Sequence, residues 1–268
     1  MSFSRVGRAL SSPARRPSAS RRGSVRFERT LDIPFELLFN YFVEYLNMER
    51  TKTRLLAELA RVGKALGSPS RLELLEVLAQ GDRTVEALAN AAGLSIANAS
   101  RHLQILRDAR LVEATREGVF IRYRLASPEV FDLTHSVRTL AEKRMAEVEQ
   151  ITRAYHSGQR GLDPIASDDL LQRIRAGTVI VLDVRPEEEY RSGHIAGAVS
   201  VPLDRLGAQL RRLPKSKEVV AYCRGPYCVL ADRAVELLRS RGRRARRLAE
   251  GFPEWRAAGL PVKRLPSN

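Results

Sequence analysis

The chain has 268 residues, 44% hydrophobic and 29% charged, with 46 lysines and arginines against 31 acids and a formal charge of +15. That composition is globular, with room for two cores and a tail, and no run reaches the roughly 18–20 apolar residues of a membrane helix. The positive surplus points to a polyanionic partner, nucleic acid first; two cysteines with four residues between them exclude a disulfide scaffold and fit a reducing cytoplasm.

Residues 1–47 resemble nothing that follows them. As far as residue 27 there are seven arginines and no acid, among Ser, Pro and Gly, as in a basic arm or a targeting peptide. Residues 31–47 then turn aromatic (Phe35, Phe39, Tyr41, Phe42, Tyr45). The simplest expectation is a disordered or over-extended N-terminus, with the working protein starting at Met48. From there Leu55, Leu56, Leu59, Val62 and Leu66 share one helical face, which Gly67-Ser68-Pro69 ends.

A helix over Ser70–Leu78 follows. Thr84 then caps a short helix to Ala92, Gly93-Leu94-Ser95 turns, and Ile96–Arg107 forms a second helix: a helix-turn-helix. In the second helix Ile96, Ala99, Leu103 and Leu106 share the inward face. Asn98, Arg101, Gln104 and Arg107 project away, with Ser95 and Ser100 beside them; Arg prefers guanine, Asn and Gln adenine. A merely solvated polar face would read the same way. Leu111–Arg116, the turn Glu117-Gly118 and Val119–Leu125 then form a hairpin whose Arg116, Arg122 and Arg124 suit phosphates.

The stretches Gly63–Leu72 and Ser100–Leu106, together with this hairpin, resemble the ArsR-type winged-helix family over about residues 50–126. The resemblance implies a bacterial or archaeal homodimeric repressor on an imperfect palindrome of double-stranded DNA, its two recognition helices roughly 34–36 Å apart. The metal-sensing members carry cysteines where Thr84-Val85-Glu86-Ala87-Leu88 stands here, and no cysteine precedes residue 223. His102 belongs to the helix motif, and His135 and His156 are 21 residues apart; no metal site and no cofactor are assigned. Residues 48–126 are thus the expected DNA-binding domain. Residues 127–157 read as one amphipathic helix (Val130, Leu133, Val137, Leu140, Met145, Val148, Ile151), where such proteins dimerise unless it packs on its own domain. A linker is expected over 158–164.

From residue 165 to 264 strand-like and helix-like segments alternate, with strands at Val179–Arg185, Val219–Tyr222 and Ala245–Leu248, so an α/β domain with an open parallel sheet is expected. Between the second strand and a helix lies Cys223-Arg224-Gly225-Pro226-Tyr227-Cys228. Loop amides and a helix N-terminus facing the Cys223 sulfur would lower its pKa and make it a nucleophile. Cys228 is equally compatible with inert packing, with resolving a Cys223 persulfide, or with holding the sulfur itself.

Leu182–Tyr190, Gly193–Ala198, the Cys223 loop and Gly251–Trp255 resemble the rhodanese family. The resemblance implies that Cys223 takes sulfane sulfur from thiosulfate, polysulfide or another donor as a persulfide. Arg224 would neutralise an anionic donor, the amides from Gly225 through Tyr227 and Cys228 to Val229 would hold the persulfide charge, and Asp183 and Arg185 would brace the loop. Related phosphatases need an arginine where Val229 stands, so phosphate chemistry is not expected. His194 and Trp255 read as structural, and the six arginines in 239–247 as an exposed helix end that draws anions weakly. The whole-chain expectation is a mainly α winged helix joined to an α/β rhodanese-like domain, a dimeric regulator that senses or transfers sulfur. The alternative is a sulfurtransferase whose DNA-binding half only autoregulates its gene.

Overall fold

The computed structural model describes residues 34–157 and 164–265; the basic arm and nearly all of the expected linker lie outside the described residues. The chain as far as Thr53 and the chain from Arg54 onward are two compact units. Helix α1 spans Phe35–Leu66 and therefore begins well before Met48. Its aromatic, leucine-rich start contains no Gly or Pro after Pro34, so nothing in the backbone stops the helix there.

In the second unit α2 (Pro69–Leu78) opens with Pro69, whose missing N–H costs nothing at a first helical turn. β1 (Arg83–Thr84), α3 (Val85–Ala91) and α4 (Ile96–Asp108) follow, then β2 (Val112–Glu117) and β3 (Phe120–Leu125). The Thr84 hydroxyl accepts from the Ala87 amide and the Ser95 hydroxyl from the Asn98 amide, capping α3 and α4, while Gly93 takes the left-handed φ of 64° between them. β1 pairs with β3, giving a small antiparallel sheet in the order β1-β3-β2. Leu74, Leu75, Leu88, Leu103 and Leu106 form the core.

One expected core contribution is absent from it. Ile96 is 55% exposed, because as the first residue of α4 it sits a turn ahead of Ala99 and Leu103, where the helix meets the core. On the apolar face of α1, Leu55, Leu56 and Leu59 are each more than half exposed, and burial comes only at the helix end, with Ala65 and Leu66.

The expected single helix over 127–157 is two, α5 (Pro128–Arg144) and α6 (Ala146–Ser157), with Met145 extended between them. Glu142 and Tyr155 both bond Tyr227. On a straight helix those two residues would stand ~20 Å apart, so the break is what lets them converge.

The C-terminal domain comprises α7 (Ser167–Arg175), β4 (Val179–Asp183), α8 (Glu187–Ser192), β5 (His194–Ile195), β6 (Val199–Ser200), α9 (Leu203–Gln209), β7 (Glu218–Tyr222), α10 (Val229–Ser240), β8 (Ala245–Arg247), α11 (Phe252–Ala257) and β9 (Val262–Lys263). Its sheet is parallel in the order β6-β4-β7-β8, with a separate antiparallel pair β5-β9. Along β7, Val219 and Ala221 pack on one face and Val220 and Tyr222 on the other, so the strand is an unbroken apolar run. The arginine run at 239–247 is only in part the expected exposed helix end: Arg239, Arg241 and Arg244 are exposed and Arg246 is half-buried, but Arg243 and Arg247 turn inward. Arg243 donates to the Leu210 carbonyl at 2.7 Å and Arg247 pairs with Asp232 at 3.3 Å; both are buried, tying α10 and β8 to their neighbours. No helix of the described residues is long and apolar enough to cross a membrane.

Candidate functional site

The helix-turn-helix presents its polar face as the spacing predicts. Ala99, Leu103 and Leu106 are wholly buried, while Asn98, Arg101, Gln104 and Arg107 are exposed in one row along α4. Ser100 is half-buried, and the Ser95 hydroxyl is already spent on the helix cap. The wing separates its three arginines. Cross-strand register sets Arg116 opposite Ile121, on the face that buries Tyr123, whereas Arg122 and Arg124 share the other face with Glu117 and Glu113. There Arg122 pairs with Glu117 at 3.0 Å and Arg124 with Glu113 at 2.6 Å, and Arg116 donates to the Gly118 carbonyl.

The cysteine loop leaves the C-terminal end of β7 and enters α10, the end of a parallel sheet where ligands bind in α/β folds. Cys223, directly after β7, is 2% exposed; Cys228 is the half-buried N-cap of α10. The Cys223 Sγ donates to the Cys228 carbonyl at 3.1 Å. Burial pushes the Cys223 thiol well above its ordinary range, and its hydrogen bond to Cys228 adds to this; the Ala231 and Gly225 amides oppose it weakly. A side-chain hydrogen bond from Cys223, then the Leu230 and Arg224 amides and the Arg224 charge, bring Cys228 down to about 6 against its burial. The sequence leads to a low-pKa Cys223; here burial works against that thiol, while Cys228 at the helix N-cap is the one drawn down. Burial, invisible in a hexapeptide, outweighs the amide cradle.

Arg224 lines the cavity beside the loop but is held in an ion pair. Its Nε and Nη2 both bond Glu189, at 2.9 and 2.6 Å, and Glu189 is completely buried. Glu189 also holds Arg83 of the winged-helix half at 2.9 Å, so one carboxylate ties the loop to the DNA-binding domain. Asp183 and Arg185 form a fully buried ion pair at 2.6 Å. Tyr222 donates to Asp183, and Arg185 reaches the Gly193 carbonyl and the Gln80 side-chain oxygen. They brace the strand ends, and through Gln80 the loop, because the Gln80 amide nitrogen donates to the Arg224 carbonyl at 3.0 Å. His194 donates from Nδ1 to the Tyr190 carbonyl at 2.8 Å and Trp255 is wholly buried, both as expected.

Tyr227 joins the loop to α5 and α6. Its hydroxyl bonds Glu142 on α5 and Thr152 on α6, and its carbonyl accepts from Tyr155 at 2.7 Å. Behind the loop, Gly251 has no room for a side chain: a Cβ there would lie 2.4 Å from the Gly225 nitrogen. In front, a cavity of about 270 Å³ opens between the loop and helices α2 and α5, lined among others by Glu73, Glu76, Arg138, Cys228 and Glu254. Sequence reasoning missed Gln80, Arg83, Glu142, Tyr155 and Glu189. Glu189 lies in a Glu187-Glu188-Glu189 run that reads as a solvated face, and its partners are remote in the chain, so no local signal marks it.

Residues 68–114 match the bacterial regulatory protein arsR family and residues 166–258 the rhodanese-like domain family. The HTH-type transcriptional regulator Rv0324 of Mycobacterium tuberculosis is 46% identical over 211 residues, 79% of this chain and 92% of that protein. A sulfurtransferase of Allochromatium vinosum is 29% identical over 103 residues, 38% of this chain and 94% of its own. The solution structure of the homodimeric winged helix-turn-helix DNA-binding domain of Mb0332 from Mycobacterium bovis shares 46% identity, covering 35% of this chain and 87% of that one, with a TM-score of 0.34. The chain belongs to the ArsR-type helix-turn-helix transcriptional regulators that carry a C-terminal rhodanese-like domain.

Proposed function

We propose that the protein is a cytoplasmic, homodimeric repressor whose grip on an imperfect palindromic operator changes with the sulfur state of the Cys223–Cys228 loop. Each protomer sets Asn98, Arg101, Gln104 and Arg107 against base edges or phosphates in a major groove, with the wing on the backbone. The observation that carries the reading is the seam: the loop's Arg224 carbonyl and its Tyr227 are bonded to Gln80 and to α5 and α6 of the DNA-binding half. A sulfur atom added inside so tight a loop has to move one of these contacts.

Helix α5 makes the transmission plausible in mechanical terms. Thr134, His135 and Arg138 line the cavity beside the loop, while Leu133, Val137 and Leu140 face the other way and are exposed, as are Leu55, Leu56 and Leu59 of α1. A second copy covers these apolar faces in the proposed dimer, so α5 has the sulfur loop on one side and the dimer seam on the other. Binding of operator DNA with and without polysulfide, by wild type and by Cys223→Ser, tests the reading. Wild-type affinity is expected to change with sulfur and the variant's to stay constant; identical affinity in every arm would remove the sensing role. The rival, an autoregulated sulfurtransferase, requires thiosulfate-to-cyanide turnover indifferent to DNA.

A further inference from the structure

We infer that Gln80, a residue of the DNA-binding half, is a positioning residue of the sulfur site: it fixes the Arg224–Gly225 peptide so that the Gly225 N–H faces the Cys223 sulfur. The inference rests on the sulfur-sensing reading and names the residue through which the two domains share one site. Gln80 stands just after Ala79, the cap of α2, and is 2% exposed. Its amide nitrogen donates to the Arg224 carbonyl at 3.0 Å, and its amide oxygen accepts from Arg185 Nη1 at 3.0 Å. The second bond steadies the first, because Arg185 is itself held by Asp183 and the Gly193 carbonyl.

A peptide unit is planar and trans, so its carbonyl and its N–H point in opposite directions. With the Arg224 carbonyl turned to Gln80, the Gly225 N–H is turned away from it, and the Gly225 amide is one of the two that favour negative charge on Cys223. Rotation of this peptide is also blocked from behind, where Gly251 packs against the Gly225 nitrogen too closely for any side chain. A flipped peptide would offer the sulfur the Arg224 carbonyl in place of a donor, which disfavours the thiolate.

Gln80 also begins the link from α2 to the helix-turn-helix. Gly81 packs against Ser192, Arg83 shares Glu189 with Arg224, and Thr84 caps α3. Residues 80–84 thus carry both a donor to the sulfur loop and the cap of the first helix of the DNA-binding motif. Coupling between sites is reciprocal, so a duplex that shifts this link changes the sulfur loop as sulfur changes the grip on DNA.

The test is the pH dependence of sulfur uptake from inorganic polysulfide by the full chain, read at Cys223 by peptide mass spectrometry. In that step a Cys223 thiolate, its proton lost to solvent, attacks the terminal sulfur of the polysulfide. One S–S bond forms and one breaks, and the chain leaves one sulfur shorter and takes up a proton; no oxidant is consumed. Gln80→Glu keeps an acceptor for Arg185 but cannot donate to the Arg224 carbonyl, and Gln80→Leu removes both bonds without adding charge. Cys228, the titratable group beside Cys223, is present in every variant. Circular dichroism and urea unfolding check each fold.

Gln80→Glu is expected to fold as wild type, to load about tenfold or more slowly at pH 7, and to reach half-maximal rate about one pH unit higher. The sign follows from the lost donor, which raises a thiol's pKa. Gln80→Leu should show the same shift at lower stability. Arg256→Ala loosens the same seam at the Ala79 carbonyl, to which Arg256 donates at 2.9 Å, and should leave the midpoint unchanged. A folded Gln80→Glu with the wild-type rate and midpoint overturns the positioning role. So does a slower rate with no shift, a shift absent from a folded Gln80→Leu, or an equal shift in Arg256→Ala. All of these leave the sensing reading standing. That reading falls instead if wild type loads sulfur and its affinity for operator DNA does not change, and a folded wild type that takes up no sulfur sinks both.

Discussion

The recognition helix and the core of the rhodanese-like domain use arginine in opposite ways. On α4, Arg101 and Arg107 stand exposed on the rim of a helix whose other face is fully packed. In the C-terminal half, Arg185, Arg243 and Arg247 are buried, and Arg224 is clamped by a carboxylate. The first set is available to a partner, and the second is internal cross-linking that desolvation makes costly to disturb. A formal charge of +15 therefore overstates the surface offered to DNA, because a share of it is neutralised inside the rhodanese-like domain.

The sharpest way to break that comparison is at the two thiols, where burial and helix end pull in opposite directions. Labelling of reduced protein with iodoacetamide should place the midpoint of Cys228 reactivity near about 6, against 9.0 for an ordinary thiol. The sign follows from the depressed value: the thiolate persists down to that pH and is lost below it. Cys223, raised by burial, should remain unlabelled throughout the neutral range, and at pH 7 Cys228 should react faster by about a hundredfold or more. Unfolding in urea should bring both back to the usual range. A Cys223 that labels first in the native protein would mean that the loop opens in solution.

Next in size is Glu189→Ala. It strands Arg83 and Arg224, whose side chains are 7% and 29% exposed, without their shared carboxylate. Loss of one partner from a buried pair costs ~3–5 kcal/mol, readable as a fall in the urea midpoint. Arg101→Ala makes the opposite kind of change. It should leave the urea midpoint within about 0.5 kcal/mol of wild type, yet weaken operator binding by ~1–3 kcal/mol. If Arg101 costs stability and Glu189 does not, the division between exposed and internal charge is wrong.

These residues also show what could be read in advance. α4 was legible because its instructions are local: a serine cap, a 3.6-residue apolar period and a glycine turn, with only Ile96 misassigned for lying ahead of the packed segment. The parallel sheet was legible for the same reason, through strands such as Val219–Tyr222 that are apolar on both faces. The cysteine loop was located but not understood. Its thiol order depends on burial under α10, and its arginine on a glutamate 35 positions earlier in the chain. Arg243 and Arg247, read as part of an exposed run, misled for a related reason, since their acceptors are carbonyls and a carboxylate from other elements. Long-range electrostatics leaves no periodic trace in sequence.

The smallest effect lies on the wing, where the two uses of arginine meet. Arg124 and Glu113 pair at 2.6 Å with both side chains at least half exposed, so the pair is worth only ~0–1 kcal/mol and gives way to a phosphate at little cost. Arg124→Ala should then weaken DNA binding modestly and lower the salt slope by about one counterion, while Arg116→Ala, on the other face of the hairpin, should do less. Glu113→Gln separates the possibilities further. Releasing Arg124 from its cross-strand partner should tighten operator binding by a factor of about 2–5 at low salt, with the gain shrinking as salt screens the freed charge. A weaker complex instead would mean that the ion pair holds the hairpin in the shape the duplex requires, and that this wing arginine serves the fold before it serves the DNA.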